Sequence, residues 1–141
     1  MPIVVKRVYE PASPADGVRV LVDRLWPRGL RKEDAAVKFW LRDLAPSKEL
    51  REWFHANRGA WRLFRKRYLK ELVSPAASAA VEKLHRLAEG KRTVTLLYAS
   101  KNEEHNNAIV LKELLEGAPK PPSSVGREAM GRGRIRKAKR Q

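Results

Sequence analysis

The chain has 141 residues, 43% hydrophobic and 33% charged, with no cysteine and a formal net charge of +15. That composition can build a core of single-domain size, which excludes a wholly disordered chain. The lack of cysteine excludes disulfides, thiolate metal sites, iron–sulfur clusters and cysteine nucleophiles, and the surplus of cations points to polyanions or acidic ligands as partners.

Met1-Pro2-Ile3-Val4-Val5 is too short an apolar run for a signal peptide, and its charge follows the run instead of preceding it. No later run reaches the roughly 18–20 apolar residues of a membrane span. The expected setting is cytoplasmic, away from membranes. Ile3–Val8 is β-branched and short, so it reads as a strand. Pro11, Pro14, Asp16 and Gly17 mark a loop, and Val18–Val22 is a second strand. It runs directly into Asp23-Arg24-Leu25-Trp26-Pro27-Arg28-Gly29, where Pro27 and Gly29 stop regular structure. Val37–Leu41 is a third, weaker strand.

Pro46-Ser47 predicts a helix start with Ser47 as N-cap, carrying Leu50, Trp53 and Phe54 and ending by Gly59. Trp61, Phe64, Tyr68 and Leu72 recur at three and four residues, the apolar face of a second helix. Ser74-Pro75 opens a third helix with Ala77, Val81, Leu84 and Ala88 inward, stopping near Gly90. Thr93–Tyr98 is the clearest strand, with an apolar back half expected of a strand covered on both faces. Ser100 and Glu103 fit a capping box for a last helix through Ala108, Leu111 and Leu115.

Strands alternating with helices predict an α/β domain, Rossmann-like, with a mostly parallel sheet flanked by helices. There is no G-x-G-x-x-G, P-loop or G-x-S-x-G, so it is not a standard dinucleotide fold, P-loop ATPase or α/β-hydrolase. The domain spans residues 1–117. The remainder, 118–141, holds eight basic residues against one acid, Glu128, with three prolines and almost no large apolar side chain. It reads as a disordered basic tail.

In open parallel sheets ligands bind beyond the carboxyl ends of the strands. Two polar segments lie there. In the first, Arg24 and Arg28 can grip a phosphate or carboxylate, Asp23 can orient one of them, and Trp26 belongs to the core or walls the pocket. In the second, Tyr98, Ser100, Lys101, Asn102, His105 and Asn106 cluster at a strand end and helix start, which receives anions. His105, placed in the first helical turn, is disfavoured as imidazolium and becomes the candidate proton-transfer group, with Ser100 and Asn106 as hydrogen-bonding partners. Ordinary capping by Ser100 and Asn102 explains the same residues without a ligand.

Two Glu-x-x-His pairs, Glu52 with His55 and Glu82 with His85, have the spacing of di-iron bundles. Both glutamates fall away from their apolar stripes, so they read as solvated, and neither a metal nor a cofactor is expected. A basic helix face (Arg58, Arg62, Arg65, Lys66, Lys70), together with Arg134, Arg136 and Lys137 in the tail, forms an alternative: a non-catalytic nucleic-acid module. The expected partner is thus a phosphate-bearing small molecule or a nucleic acid.

The chain resembles the YeaO-like family, the bacterial and archaeal domain-of-unknown-function family 488. Three stretches carry the likeness: Leu21–Leu30 (LVDRLWPRGL); Trp40-Leu41 with Leu44-Ala45-Pro46-Ser47; and Leu96-Leu97-Tyr98-Ala99 followed by Glu104-His105-Asn106-Asn107-Ala108. It covers about Ile3 to Leu115 and leaves out the tail. The family is similar to a broader group of small α/β domains with an Asp–Arg–Pro turn and a Cys-His-Arg element. Here Asp23, Arg24 and Pro27 match the turn loosely, His105-Asn106 stands where His-Arg would be, and the cysteines are absent. The resemblance implies no thiol or metal chemistry, and it pairs the two polar segments as one site.

Overall fold

The computed structural model describes residues 2–117. The tail expectation, with Arg134, Arg136 and Lys137, lies outside them. Strands β1 (Ile3–Arg7), β2 (Val18–Leu21), β3 (Phe39–Trp40) and β4 (Val94–Tyr98) form one four-stranded sheet, ordered β1-β4-β2-β3. Every pairing is parallel. The helices are α1 (Lys32–Ala35), α2 (Lys48–Ala56), α3 (Trp61–Glu71), α4 (Pro75–Ala88) and α5 (Asn107–Leu115). Among the described residues no helix is long and apolar enough to cross a membrane.

The central strand β4 is buried at every position. Its alternation divides the core. Val94, Leu96 and Tyr98 face the main cluster with Val20, Val22, Leu44, Phe64, Tyr68, Leu84 and the inner face of α5. Leu97 faces a smaller cluster with Val8, Leu21 and Ala35, closed by Trp26, Leu30 and Trp40. The sheet is thus covered on both faces, as its apolar run requires, but thinly on the second.

Local chemistry starts the helices. Ser47 Oγ accepts the Leu50 N–H at 3.1 Å, and Ser74 caps α4, whose first residue is Pro75. Ser47 also binds Glu71 through its N–H and hydroxyl, which ties the start of α2 to the end of α3. Three local features depart from or add to the sequence reading. Helix α1, between the second and third strands, carries no periodic signal because it is four residues long. The strand expected over Val37–Leu41 is reduced to two residues, bounded by the left-handed Ala36 (φ 49°) before it and a 3-10 turn over Arg42–Leu44 after it. The last helix starts at Asn107, not after Ser100: the Asn102 side chain accepts the Glu104 and His105 N–H groups, and Asn106 caps α5 through the Ile109 N–H.

At Gly17 the backbone has φ 64° and runs against Thr93, so any Cβ there would collide with the Thr93 carbonyl oxygen. Beside it, Asp16 accepts from Lys6, Arg19 and the Ser13 N–H. Arg19 is only 4% exposed and also donates to the Ala35 and Ala36 carbonyls. Burial works to raise the Asp16 pKa, but these donors prevail and hold it below the ordinary aspartate value.

Candidate functional site

Strands β2 and β4 are neighbours and run the same way, so the segments leaving their carboxyl ends emerge side by side. Asp23 locks them together. Its carboxylate accepts the Ala99 N–H at 2.9 Å and the Asn107 amide at 3.2 Å, while Asn107 also donates to the Val22 carbonyl. Burial pushes the Asp23 pKa up, against the Ala99 and Asn107 bonds and the Arg51 charge. The side chain therefore positions the two loops. The Asp23 backbone carbonyl in turn accepts the Trp40 indole N–H.

From β1 and the turn after it come two further ties. Arg7 donates to the Ser100 and Ala99 carbonyls, and its guanidinium lies 5.0 Å from the Tyr9 ring centroid. Tyr9 donates its hydroxyl to the Arg28 carbonyl at 2.9 Å. Both loops are thus held by the edge strand and the turn after it.

Between them opens a cleft of about 810 Å³. Asp23, Arg24, Arg28, Ser100, Lys101, Asn102, His105 and Asn106 all line it, so residues of both polar segments meet at one pocket. Tyr98 is the exception: it is buried in the main core, not in the cleft wall. Arg51 and Arg58 join from α2 and the turn after it, making five basic side chains against Asp23 and Glu52. Among the described residues, none of these five forms an ion pair. Leu25 is 62% exposed on the rim.

One wall is aromatic. Phe54, Phe64 and His105 line it; Trp61, outside the lining, stacks on His105 at 4.6 Å and 12° and on Phe64 at 5.6 Å, and Phe64 stacks on Phe54 at 4.4 Å. His105 is therefore held as a flat ring before the start of α5, outside the helical turn expected for it. It shares no hydrogen bond with Ser100. The Asn106 amide is occupied at both ends, accepting from Ile109 and donating to the Asn102 carbonyl. Trp26 is half-buried, donates to the Leu30 carbonyl and meets Trp40 edge-on at 5.5 Å, so it is at once core and cleft wall.

Of the basic helix face, Arg62, Lys66 and Lys70 are exposed, whereas Arg65 pairs with Glu113 on α5 at 2.8 Å. Glu52 and His55 are exposed on the cleft rim, and Glu82 pairs with Arg86. Among the described residues no group of three or more His, Cys, Asp or Glu is placed to hold a metal. Sequence reasoning missed Arg7, Arg51 and Asn107. Arg7 ends a parallel strand, so the rule that singled out the other two strand ends also reaches it. Arg51 and His55 are four residues apart on α2, one helical face readable from spacing.

The chain matches the family model described as "Inactive DUF488-N3 subclade" over residues 2–127. Uncharacterized proteins of Mycobacterium tuberculosis H37Rv and Mycobacterium bovis are each 47% identical over 113 residues, 80% of this chain and 92% of theirs. The Escherichia coli K12 protein YeaO, also described as uncharacterized, is 44% identical over 115 residues, 82% of this chain and 97% of its own. No solved structure matches significantly. With the family model and these relatives covering most of its length, the chain belongs to the YeaO-like DUF488 family.

Proposed function

We propose that the domain binds a phosphate-bearing ligand with a flat ring, a nucleotide or a nucleic-acid end, in the cleft between the Asp23–Gly29 and Tyr98–Asn106 segments, and does so without turnover. The observation that carries this reading is the set of five basic side chains on one cleft with no ion-pairing carboxylate among the described residues. Cations gathered in a concave, partly apolar site raise the local concentration of anions, and Arg presents a fork that matches phosphate. Beside them the aromatic wall offers a stacking surface for a base. Arg24, Arg28 and Lys101 would hold the phosphate. His105 would support the wall instead of moving a proton, since it lacks a bonded nucleophile and Asn106 is committed to its cap. The word "inactive" in the family description agrees with binding in place of catalysis.

The test is calorimetric titration of the full chain with the four ribonucleoside monophosphates and inorganic phosphate. Arg28→Ala should weaken nucleotide binding at least about tenfold, the loss of one charge-assisted contact. The reading fails if no nucleotide binds, or if Arg28→Ala and Arg24→Ala both bind like the parent.

Exposed Arg62, Lys66 and Lys70 favour a second reading, a nucleic-acid surface along α3. Neutralising about six duplex phosphates would give a log–log salt slope near −5. Binding of that kind should survive Arg28→Ala and fall in the Arg62→Ala, Lys66→Ala double variant.

A further inference from the structure

A smaller cavity of about 440 Å³ shares Arg24 with the main cleft and is otherwise walled by Trp40, Leu41, Arg42, Asp43 and Ala80. Its ring wall is fixed before any ligand arrives. Trp40 donates its indole N–H to the Asp23 carbonyl at 2.8 Å and is braced edge-on by Trp26. The Arg42 guanidinium lies 4.7 Å from the Trp40 ring centroid. Stacking of this kind uses the face of the guanidinium and leaves the in-plane N–H donors for a planar or tetrahedral oxyanion. Arg42 is exposed and, among the described residues, forms no ion pair, not even with its neighbour Asp43. The cavity therefore sets two guanidinium groups against one carboxylate, and one of the two already belongs to the main cleft.

We infer that this recess is a second phosphate subsite, so that the ligand carries at least two phosphate groups, one on each side of Arg24. The inference rests on the phosphate reading of the main cleft. A second phosphate could belong to a pyrophosphate or to the next phosphodiester of a nucleic-acid strand, and the chemistry that recognises it is the same. Arg24, reached from both cavities, would bridge the two groups, and Arg42 would hold the outer one.

The experiment titrates the full chain with ribonucleoside monophosphates, the matching diphosphates and 5′-phosphorylated dinucleotides. At least one of the two longer classes should bind about tenfold tighter than the monophosphate, as expected for one further charge-assisted contact. That gain should vanish in Arg42→Ala and in Arg42→Gln, which keeps most of the bulk, while monophosphate affinity and thermal midpoint stay at the parent values. A gain confined to diphosphates identifies a pyrophosphate, and one confined to dinucleotides identifies a strand. Equal affinities for all three classes, or a gain that persists in both Arg42 variants, would overturn the subsite and leave the main cleft intact. No binding by any class would remove the main-cleft reading and the subsite with it.

Discussion

Asp23 places a carboxylate in a cleft whose charged lining is mostly cationic, and its bonds explain why it is there: it joins the loop after β2 to Ala99 and Asn107. Burial raises its pKa, so the folded state takes up a proton more readily than the unfolded chain. Stability from this residue is therefore greatest at low pH and falls as pH rises from about 4, the ordinary aspartate value, through the raised one. Asp16 has the opposite sign. Its depressed pKa means that its contribution is complete above about pH 4 and is lost as pH falls through the folded value. Denaturant titrations across acid pH should show Asp16→Asn flattening the acid loss and Asp23→Asn removing a decline on the way to neutrality. Parallel curves for parent and variants would refute both assignments. At Gly17 the positive φ and the Thr93 carbonyl leave no place for a side chain. Gly17→Ala should cost at least about 2 kcal/mol, combining a left-handed conformation with a backbone clash. A urea midpoint unchanged from the parent would show that the turn relaxes freely.

Elements were legible where their chemistry is local. Ser47 and Ser74 start their helices because a hydroxyl three residues before an N–H satisfies it in any context. The last helix was misread because Ser100 and Asn106 are both good caps within seven residues, and spacing does not choose between them. The choice falls to Asn107, which must reach the Val22 carbonyl and Asp23 across the sheet, and Asn102, which closes the preceding turn. Asn106→Ala should therefore lower stability by about 1 kcal/mol, while Ser100→Ala should change it by less than about half that. Equal losses would restore the earlier start. Ser47→Ala removes a cap and the hydroxyl link to Glu71, so it should cost about 1–2 kcal/mol, read as a fall of several degrees in the thermal midpoint.

For the molecule as a whole, the split of charge between domain and tail separates two modes of binding. A chain ending at Gly117 should keep mononucleotide affinity in the cleft and lose salt-sensitive affinity for long single strands, since about half of the net charge goes with residues 118–141. Titrations at two ionic strengths decide it, and loss of mononucleotide binding on truncation would make the tail part of the site. The sequence by itself determined the α/β class, the four strands, two helix starts and the two polar segments, because side-chain period, caps and β-branching act between near neighbours in the chain. Only the tertiary structure decided that β2 and β4 lie side by side, that Asp23 clamps their loops, that Arg7 and Arg51 join the site, and that His105 lies flat on Trp61. Those contacts join residues that are tens of positions apart in the chain. They form only when the sheet brings strand ends together, and no local spacing encodes them.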